Sequence, residues 1–293
     1  MLHKISIITV VFNDKEGFEL TANSIISQTK IKDIEWIVID AGSTDGTVNS
    51  IKKFGSNISF WISESDKGIY DGMNKGIAKA TAEYTLFLNA GDTFCDERTI
   101  EVVTTHNDFG RYDYLSGHTI YTKKGETIGT SIAPETITGA YLFKQSLGHQ
   151  STFIRTERLK RAGGYDTSYR IVADAKFFFE DIILKNRSYK LIDEYISCYD
   201  VTGISSTRHQ ENYNERQHFL IEILSPRIFN DYKRLVFGET KLERIICKLN
   251  NKSFLYKLIT IFAILCYTPT ALLNRAKMFR KKISKKTHKN RAL

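Results

Sequence analysis

Proline is nearly missing: three occur in 293 residues. With so few chain breakers, no low-complexity stretch and no internal repeat, no linker interrupts residues 1–231, which read as one domain. Cysteine is almost as scarce. Cys95, Cys198, Cys247 and Cys266 lie far apart in sequence. No C-x-x-C pair or nearby histidine spacing suggests zinc, so they read as reduced, buried or idle. Long apolar runs are missing from the N-terminus, where residues 5–12 are too short to span a bilayer and lack a signal-peptide cleavage site. The body of the chain therefore reads as cytosolic. Net charge is missing from that body as well. Residues 275–293 hold nine Lys/Arg and no acid, which accounts for the whole formal charge of +9. The pI of about 9.2 belongs to this tail. A nucleic-acid binder spreads its basic footprint over a face of the fold, so that class is excluded as a reading.

What is present is an alternation of two hydrophobic periods. Residues 5–12 are β-branched and almost continuously apolar, the pattern of a parallel strand covered on both faces. Runs at 36–39, 58–62 and 84–88 repeat it. Between them, Phe18, Ala22, Ile25 and Ile26, then Val48, Ile51 and Phe54, then Met73, Ile77 and Ala80 recur at helical spacing. Strand alternating with helix predicts βαβ units and a mostly parallel sheet, an α/β fold. This half ends near residue 93. Beyond it come short tyrosine-rich, glycine-punctuated segments over 111–148 and a helix over about 175–185.

In an open α/β sheet, ligands bind outside the carboxyl ends of the strands. Here those ends are polar: Asn13-Asp14, then residues 40–47 (DAGSTDGT), then 63–68 (SESDKG), then Asn89-Ala90-Gly91-Asp92. Neither G-x-G-x-x-G nor G-x-x-x-x-G-K-[ST] is among them, so both common nucleotide loops are excluded. An acidic edge repels a bare diphosphate, so a nucleotide bound there needs a divalent cation between phosphate and acid.

Seven stretches carry a resemblance: IITVVFN, EWIVIDAGSTDGT, WISESDKGIYDGMNKGIAKA, LFLNAGD, GHQSTF, GGYDTSYRIVADAKF and GISS, together covering about residues 5–206. The sequence resembles the family 2 glycosyltransferases of GT-A fold, of the bacterial exopolysaccharide, O-antigen and colanic-acid repeat-unit type. The resemblance implies a Rossmann-like nucleotide-diphospho-sugar transferase domain at 1–231, with a donor half at about 1–93 and an acceptor half at about 94–231. It implies inverting transfer of a sugar to an acceptor hydroxyl, with Asp174 as catalytic base and Asp40 contacting the nucleotide base. Val11, Asn13, Asp45, Asp66, Lys67, Asn74, Asn89, Ala90 and Gly91 join Asp40 as expected donor contacts. His149, Gln150, Ser205, Ser206 and Arg208 are expected at the acceptor or diphosphate. Residues 89–92 depart from the family's Asp-x-Asp pattern, leaving Asp92 as the only carboxylate to hold Mg2+ or Mn2+.

Structural readings compete at several of these positions. Asp174 precedes a helix and suits an N-cap. Asp45 suits a turn or cap for the helix carrying Val48 and Ile51. Asp66, Asp71 and Asn74 sit in a glycine-punctuated turn into a helix, where donor contact is expected of only one. Two other functions fit parts of the chain. A sugar nucleotidyltransferase wants a glycine-rich basic loop where this chain has Phe12-Asn13-Asp14. A non-catalytic binding subunit would explain the lost first metal acid.

Residues 258–273 are uncharged and interrupted by Pro269. As a helix they reach about 24 Å, short of the roughly 30 Å hydrocarbon core. Followed by the basic tail, they read as part of a helical extension, 232–293, anchored in plane on an anionic cytoplasmic leaflet. A polyprenyl-diphosphate-linked saccharide is the acceptor this placement suggests, at the cytoplasmic face of the bacterial inner membrane. An ordinary packed helix is the alternative.

Overall fold

A computed structural model describes residues 3–123, 125–203 and 207–237. The chain divides into two compact units, Met1–Tyr232 and Lys233–Leu293. Ser205, Ser206 and the 258–293 segment lie outside the described residues.

The alternation of periods becomes β1 (Ile5–Val11), α1 (Lys15–Ile26), β2 (Ile34–Asp40), α2 (Thr47–Lys53), β3 (Phe60–Ser63), α3 (Ile69–Lys79) and β4 (Tyr84–Phe87). β2, β1 and β4 pair in parallel, with Ile5 beside Ile34 and Val11 beside Asp40. β3 joins the outer side of β2, also in parallel. Every residue of β1 and β2 is buried, which explains why these strands show continuous rather than alternating hydrophobicity. On one face Phe18 of α1 stacks on Trp36 of β2 at 6.0 Å between ring centroids. The indole N–H donates to Thr9 Oγ1 at 3.1 Å, so the buried ring leaves no polar atom unpaired. On the other face α3 presses Gly72 and Gly76 against Val10 and Ile8, where an added Cβ would stand 2.8 and 2.5 Å from their methyl carbons. Only glycine allows that approach.

The second half comprises β5 (Thr93–Phe94), α4 (Thr99–Thr105), β6 (Tyr114–Lys123), β7 (Glu126–Ser131), α5 (Gly139–Lys144), β8 (Thr152–Arg155), α6 (Thr156–Ala162), α7 (Ala173–Phe178), β9 (Tyr189–Asp200), α8 (His209–Ile223) and α9 (Pro226–Phe237). The sheet order is β3-β2-β1-β4-β8-β6-β9-β5, with β7 paired to β6. Parallel pairing gives way to antiparallel at β4–β8, and the tyrosine-rich segment becomes the β6–β7 hairpin. Most paired residues still lie in parallel registers, as the alternation of strand and helix predicted for an α/β fold. The helix expected from residue 175 begins two residues earlier and continues from Phe179 to Leu184 as a π-turn.

Candidate active site

The carboxyl ends of β1 and β4 open into a cleft of about 870 Å3. Its walls come from the start of α1, the start of α3, the 146–150 turn, the 170–175 segment, the end of β9 and α8. The chain leaves β1 through Asn13, whose φ of 46° lies in the left-handed region. Asn13 Oδ1 accepts from the Thr44 N–H at 2.8 Å, and its own N–H donates to Ser43 Oγ at 2.8 Å. Asp14 then caps α1, accepting from the Gly17 N–H at 2.9 Å. Phe12 is 61% exposed at the cleft wall, an apolar ring held open to solvent.

Asp40 ends β2 fully buried. One carboxylate oxygen takes the N–H groups of Gly42 and Ser43 and the Ser63 hydroxyl. The other has no hydrogen-bond partner among the described residues. A buried acceptor left open is costly unless something else fills it.

Asp92 is 5% exposed and lines the cleft. Its main chain is fixed by Thr21, whose hydroxyl donates to the Asp92 carbonyl at 2.7 Å and accepts from the Gly91 N–H at 3.1 Å. Burial pushes the Asp92 carboxyl up to about 7, and the charge of Asp200 adds to the rise. His149 and main-chain N–H groups oppose it. The donor set for a metal is thin: among the described residues no cluster of three His, Cys, Asp or Glu could hold one. Asp92 with Asp200 beside it nevertheless offers hard oxygen ligands whose charge a divalent ion would restore. These residues fit Mg2+ or Mn2+ completed by phosphate and water.

Asp174 lies across the cleft, in the first turn of α7. It is not the N-cap. That position is Val172, and Glu215 of α8 takes the free N–H groups of Arg170, Ile171 and Val172 at 2.9, 2.8 and 3.2 Å. Freed from capping, Asp174 is clamped by side chains. Oδ1 accepts from the Tyr70 hydroxyl at 2.8 Å and the Ala175 N–H at 2.9 Å. Oδ2 meets His149 Nδ1 at 2.9 Å, while His149 Nε2 lies 3.3 Å from the Asn89 amide. Burial pushes Asp174 upward, but the bond and charge of His149, with the hydrogen bonds of Tyr70 and the Ala175 N–H, bring it below its ordinary value. His149 is raised, against its burial, by Asp174 and Asp92. Arg216 also lines the cleft, donating to the Leu142 and Gln145 carbonyls at 3.1 and 3.3 Å. Burial lowers its pKa, and the charge of Asp174 opposes that fall.

Val11, Asn89, Ala90, Gly91, Asp92, His149, Gln150 and Asp174 thus meet at the cleft. Other expected contacts are engaged in the fold. Asp45 accepts from the Thr47 and Lys15 N–H groups, knitting α2 to α1. Asp66 closes a turn on the Gly68 N–H, and the Lys67 N–H donates to Asp71. Asn74 is spent at both ends on the main chain of Tyr165. Arg208 pairs with Glu211 on the surface. His149, expected at the acceptor, is foremost the partner of Asp174. Tyr70, Asp200 and Arg216 escape the sequence reading. Tyr70 sits inside the WISESDKGIYDGMNKGIAKA stretch, whereas Asp200 and Arg216 carry no motif at all.

Comparison with known proteins gives the family of the chain. Residues 6–170 match the profile of Glycosyl transferase family 2. The chain is 30% identical over 206 residues to the uncharacterized glycosyltransferase Rv1514c of Mycobacterium tuberculosis, covering 70% of this chain and 78% of that one. Among solved structures it is similar to S. aureus TarS 1-349 in complex with UDP-GlcNAc, with TM-score 0.62, 16% identity, and 84% and 76% of the two chains covered. It is also similar to the mannosyltransferase PcManGT from Pyrobaculum calidifontis in complex with GDP-Man and Mn2+, with TM-score 0.57, 13% identity, and 92% and 82% covered. The chain belongs to glycosyl transferase family 2. It is a glycosyltransferase.

Proposed function

We propose that this enzyme moves a sugar from a nucleotide-diphosphate donor to an acceptor hydroxyl with inversion, using Asp174 as general base. The observation that carries this reading is the placing of two carboxylates in one cleft, Asp174 clamped by His149 and Tyr70 and Asp92 at the end of the parallel strands. Inverting displacement needs a base facing the acceptor and charge compensation facing the leaving diphosphate. Asp174, held ionised by His149 and Tyr70, takes the acceptor proton. Asp92, at the strand ends where a diphosphate would lie, would hold Mg2+ or Mn2+, with Asp200 beside it. When bound, the ion would neutralise charge on the leaving diphosphate. The unpartnered oxygen of Asp40, buried and not itself lining the cleft, would accept an N–H from the nucleotide base once the adjoining 41–43 turn shifts aside, and the exposed Phe12 ring would cover that base. UDP-GlcNAc in TarS and GDP-Man in PcManGT support a nucleotide-sugar donor.

The acceptor we propose is a lipid-linked saccharide in surface polysaccharide assembly. Residues 1–231 would carry catalysis, and 232–293 would rest on the anionic cytoplasmic leaflet. The uncharged 258–273 run beside the basic tail supports this. Among the described residues no helix is long and apolar enough to cross a membrane.

The test is a mass-spectrometric screen of nucleotide sugars for turnover with membrane lipid extract, using Asp174→Asn as control, with the anomeric configuration of the product read by NMR. Turnover of no donor, or retention at the anomeric carbon, would sink the reading. Flotation with neutral and anionic liposomes tests the membrane part: a full-length protein that floats with neither is not anchored.

A further inference from the structure

The fold brings together two thiols that the sequence holds apart. Cys95 and Cys198 are 103 positions distant, yet their sulfurs stand 3.3 Å apart. The cause is the β5–β9 ladder, in which Thr93 pairs with Cys198, Phe94 with Ser197, and the Cys95 N–H donates to the Ile196 carbonyl at 3.0 Å. Both thiols are free and half-buried, so small reagents can reach them.

Their position gives the pair its interest. Cys95 lies three residues after Asp92, and Cys198 two before Asp200. Both acids line the cleft. The ladder that carries the thiols therefore also sets where the two acids stand.

We propose that Cys95 and Cys198 form a redox modification site that takes low-molecular-weight disulfides, and that its oxidation shifts Asp92 and Asp200 and lowers activity. The two sulfurs must close from 3.3 Å to about 2.05 Å for a bond. Because the thiols are offset by two residues across the ladder, rather than directly opposite, that closure pulls on β5 and β9 together.

The step needs one thiol as thiolate and the other within reach of it, which the 3.3 Å separation supplies. The first thiolate attacks one sulfur of the reagent disulfide, whose S–S bond breaks, leaving a mixed disulfide on that cysteine and expelling one thiolate. The second cysteine loses its proton and attacks the sulfur of the first, forming the internal disulfide and expelling the second thiolate. The protein gives up two electrons and two protons, and the reagent becomes two thiols.

The site itself does not depend on the proposed reaction; its effect on activity does, so the test reads them separately. Full-length protein is equilibrated in glutathione buffers from reduced to oxidised, alkylated, and mapped by peptide mass spectrometry. Hydrogen exchange is followed at residues 89–95 and 196–203. The expected result is a Cys95–Cys198 linked peptide, altered exchange in both segments, and sugar transfer reduced on the order of tenfold or more, since small misplacements of reacting groups are costly. Dithiothreitol should restore all three, and Cys95→Ser and Cys198→Ser should each be insensitive. Both thiols staying alkylatable in oxidised buffer would overturn the site. Linkage without change in exchange would overturn its connection to the cleft, whichever reaction the enzyme performs.

Discussion

Asp92 and Asp174 open on the same cleft, both largely buried, yet one is pushed up to about 7 and the other held below the ordinary range. Burial acts on both in the same direction. The difference lies in the company each keeps. Asp174 has Tyr70, His149 and a main-chain N–H to satisfy its charge, whereas Asp92 faces a second carboxylate, Asp200. One site satisfies its anion with its own donors; the other leaves it short of them. Such divergence within one site is how a fold assigns different jobs to chemically identical groups.

The sharpest way to break the comparison is to neutralise Asp174. Asp174→Asn keeps the size and can still accept from Tyr70 and Ala175, so the protein should stay folded and bind nucleotide diphosphate near the wild-type affinity. Transfer should fall by about 10²–10⁴, the usual worth of a general base. Calorimetry with the nucleotide and single-turnover transfer check the two halves; parallel loss of stability and activity would make Asp174 a structural residue.

Asp92→Asn should cost about a hundredfold in transfer, as removal of a main electrostatic contact does. Its stability should move the other way. A carboxyl raised in the folded state stabilises fully below its unfolded value, and that contribution is lost as pH rises through about 7. In chelator at pH 8 the wild type therefore carries a buried, poorly compensated charge. Asp92→Asn removes it, for a gain of roughly 4 kcal/mol at most. Thermal melts at pH 5 and pH 8 test this: the gain should appear at pH 8 and shrink at pH 5.

A smaller effect sharpens the other side. Tyr70→Phe deletes one hydroxyl and one of the bonds that hold Asp174 ionised. The groups left acting on Asp174 are His149, the Ala175 N–H, Tyr165 and Arg216. The Asp174 pKa should rise, moving the acid limb of kcat/KM to higher pH, with kcat down about tenfold, as loss of a charge-assisted hydrogen bond worth about 1.5–3 kcal/mol allows. An unchanged pH profile would leave Tyr70 as packing only.

How much of this could be read beforehand varies along the chain. β1, β2 and β4 were legible because two-sided burial writes itself as unbroken apolar runs, and the polar strand ends located the floor holding Asp92. The β6–β7 hairpin was not, since its partly exposed Thr-, Tyr- and Gly-rich strands carry no strong period. The capping role of Asp174 looked plausible because Asp favours caps, but tertiary structure supplied Glu215 from 41 positions on, judged by its bond to Asp174's neighbours. Arg216 and the Cys95–Cys198 pair depend on helix and strand docking that no local pattern records. Asp45 and Asn74 show the reverse: residues in the right stretch, with polar atoms already taken by the fold.

The two ends of β2 give the finest test. Glu35 near its start and Asp40 at its end are both buried acids on one strand. Glu35 accepts from Ser6, from the Thr81 N–H and hydroxyl, and from the Ala82 N–H. Burial raises its pKa, but these bonds bring it below the usual value. Asp40 leaves one oxygen open. The closed site should serve stability and the open one binding. Glu35→Gln should cost about 1–3 kcal/mol through its lost charge-assisted bonds, without changing nucleotide affinity. Its stabilising effect is present above the usual Glu range and lost as pH falls through the lowered folded value, so the variant's melting temperature should depend less on pH below 4. Asp40→Asn should instead weaken nucleoside binding by about tenfold or more, the worth of one buried bond to a charged acceptor, at a smaller cost in melting temperature. Melts and calorimetry on the two variants decide the matter. If Asp40→Asn lost only stability, the open oxygen would be a defect of packing rather than a place for the donor.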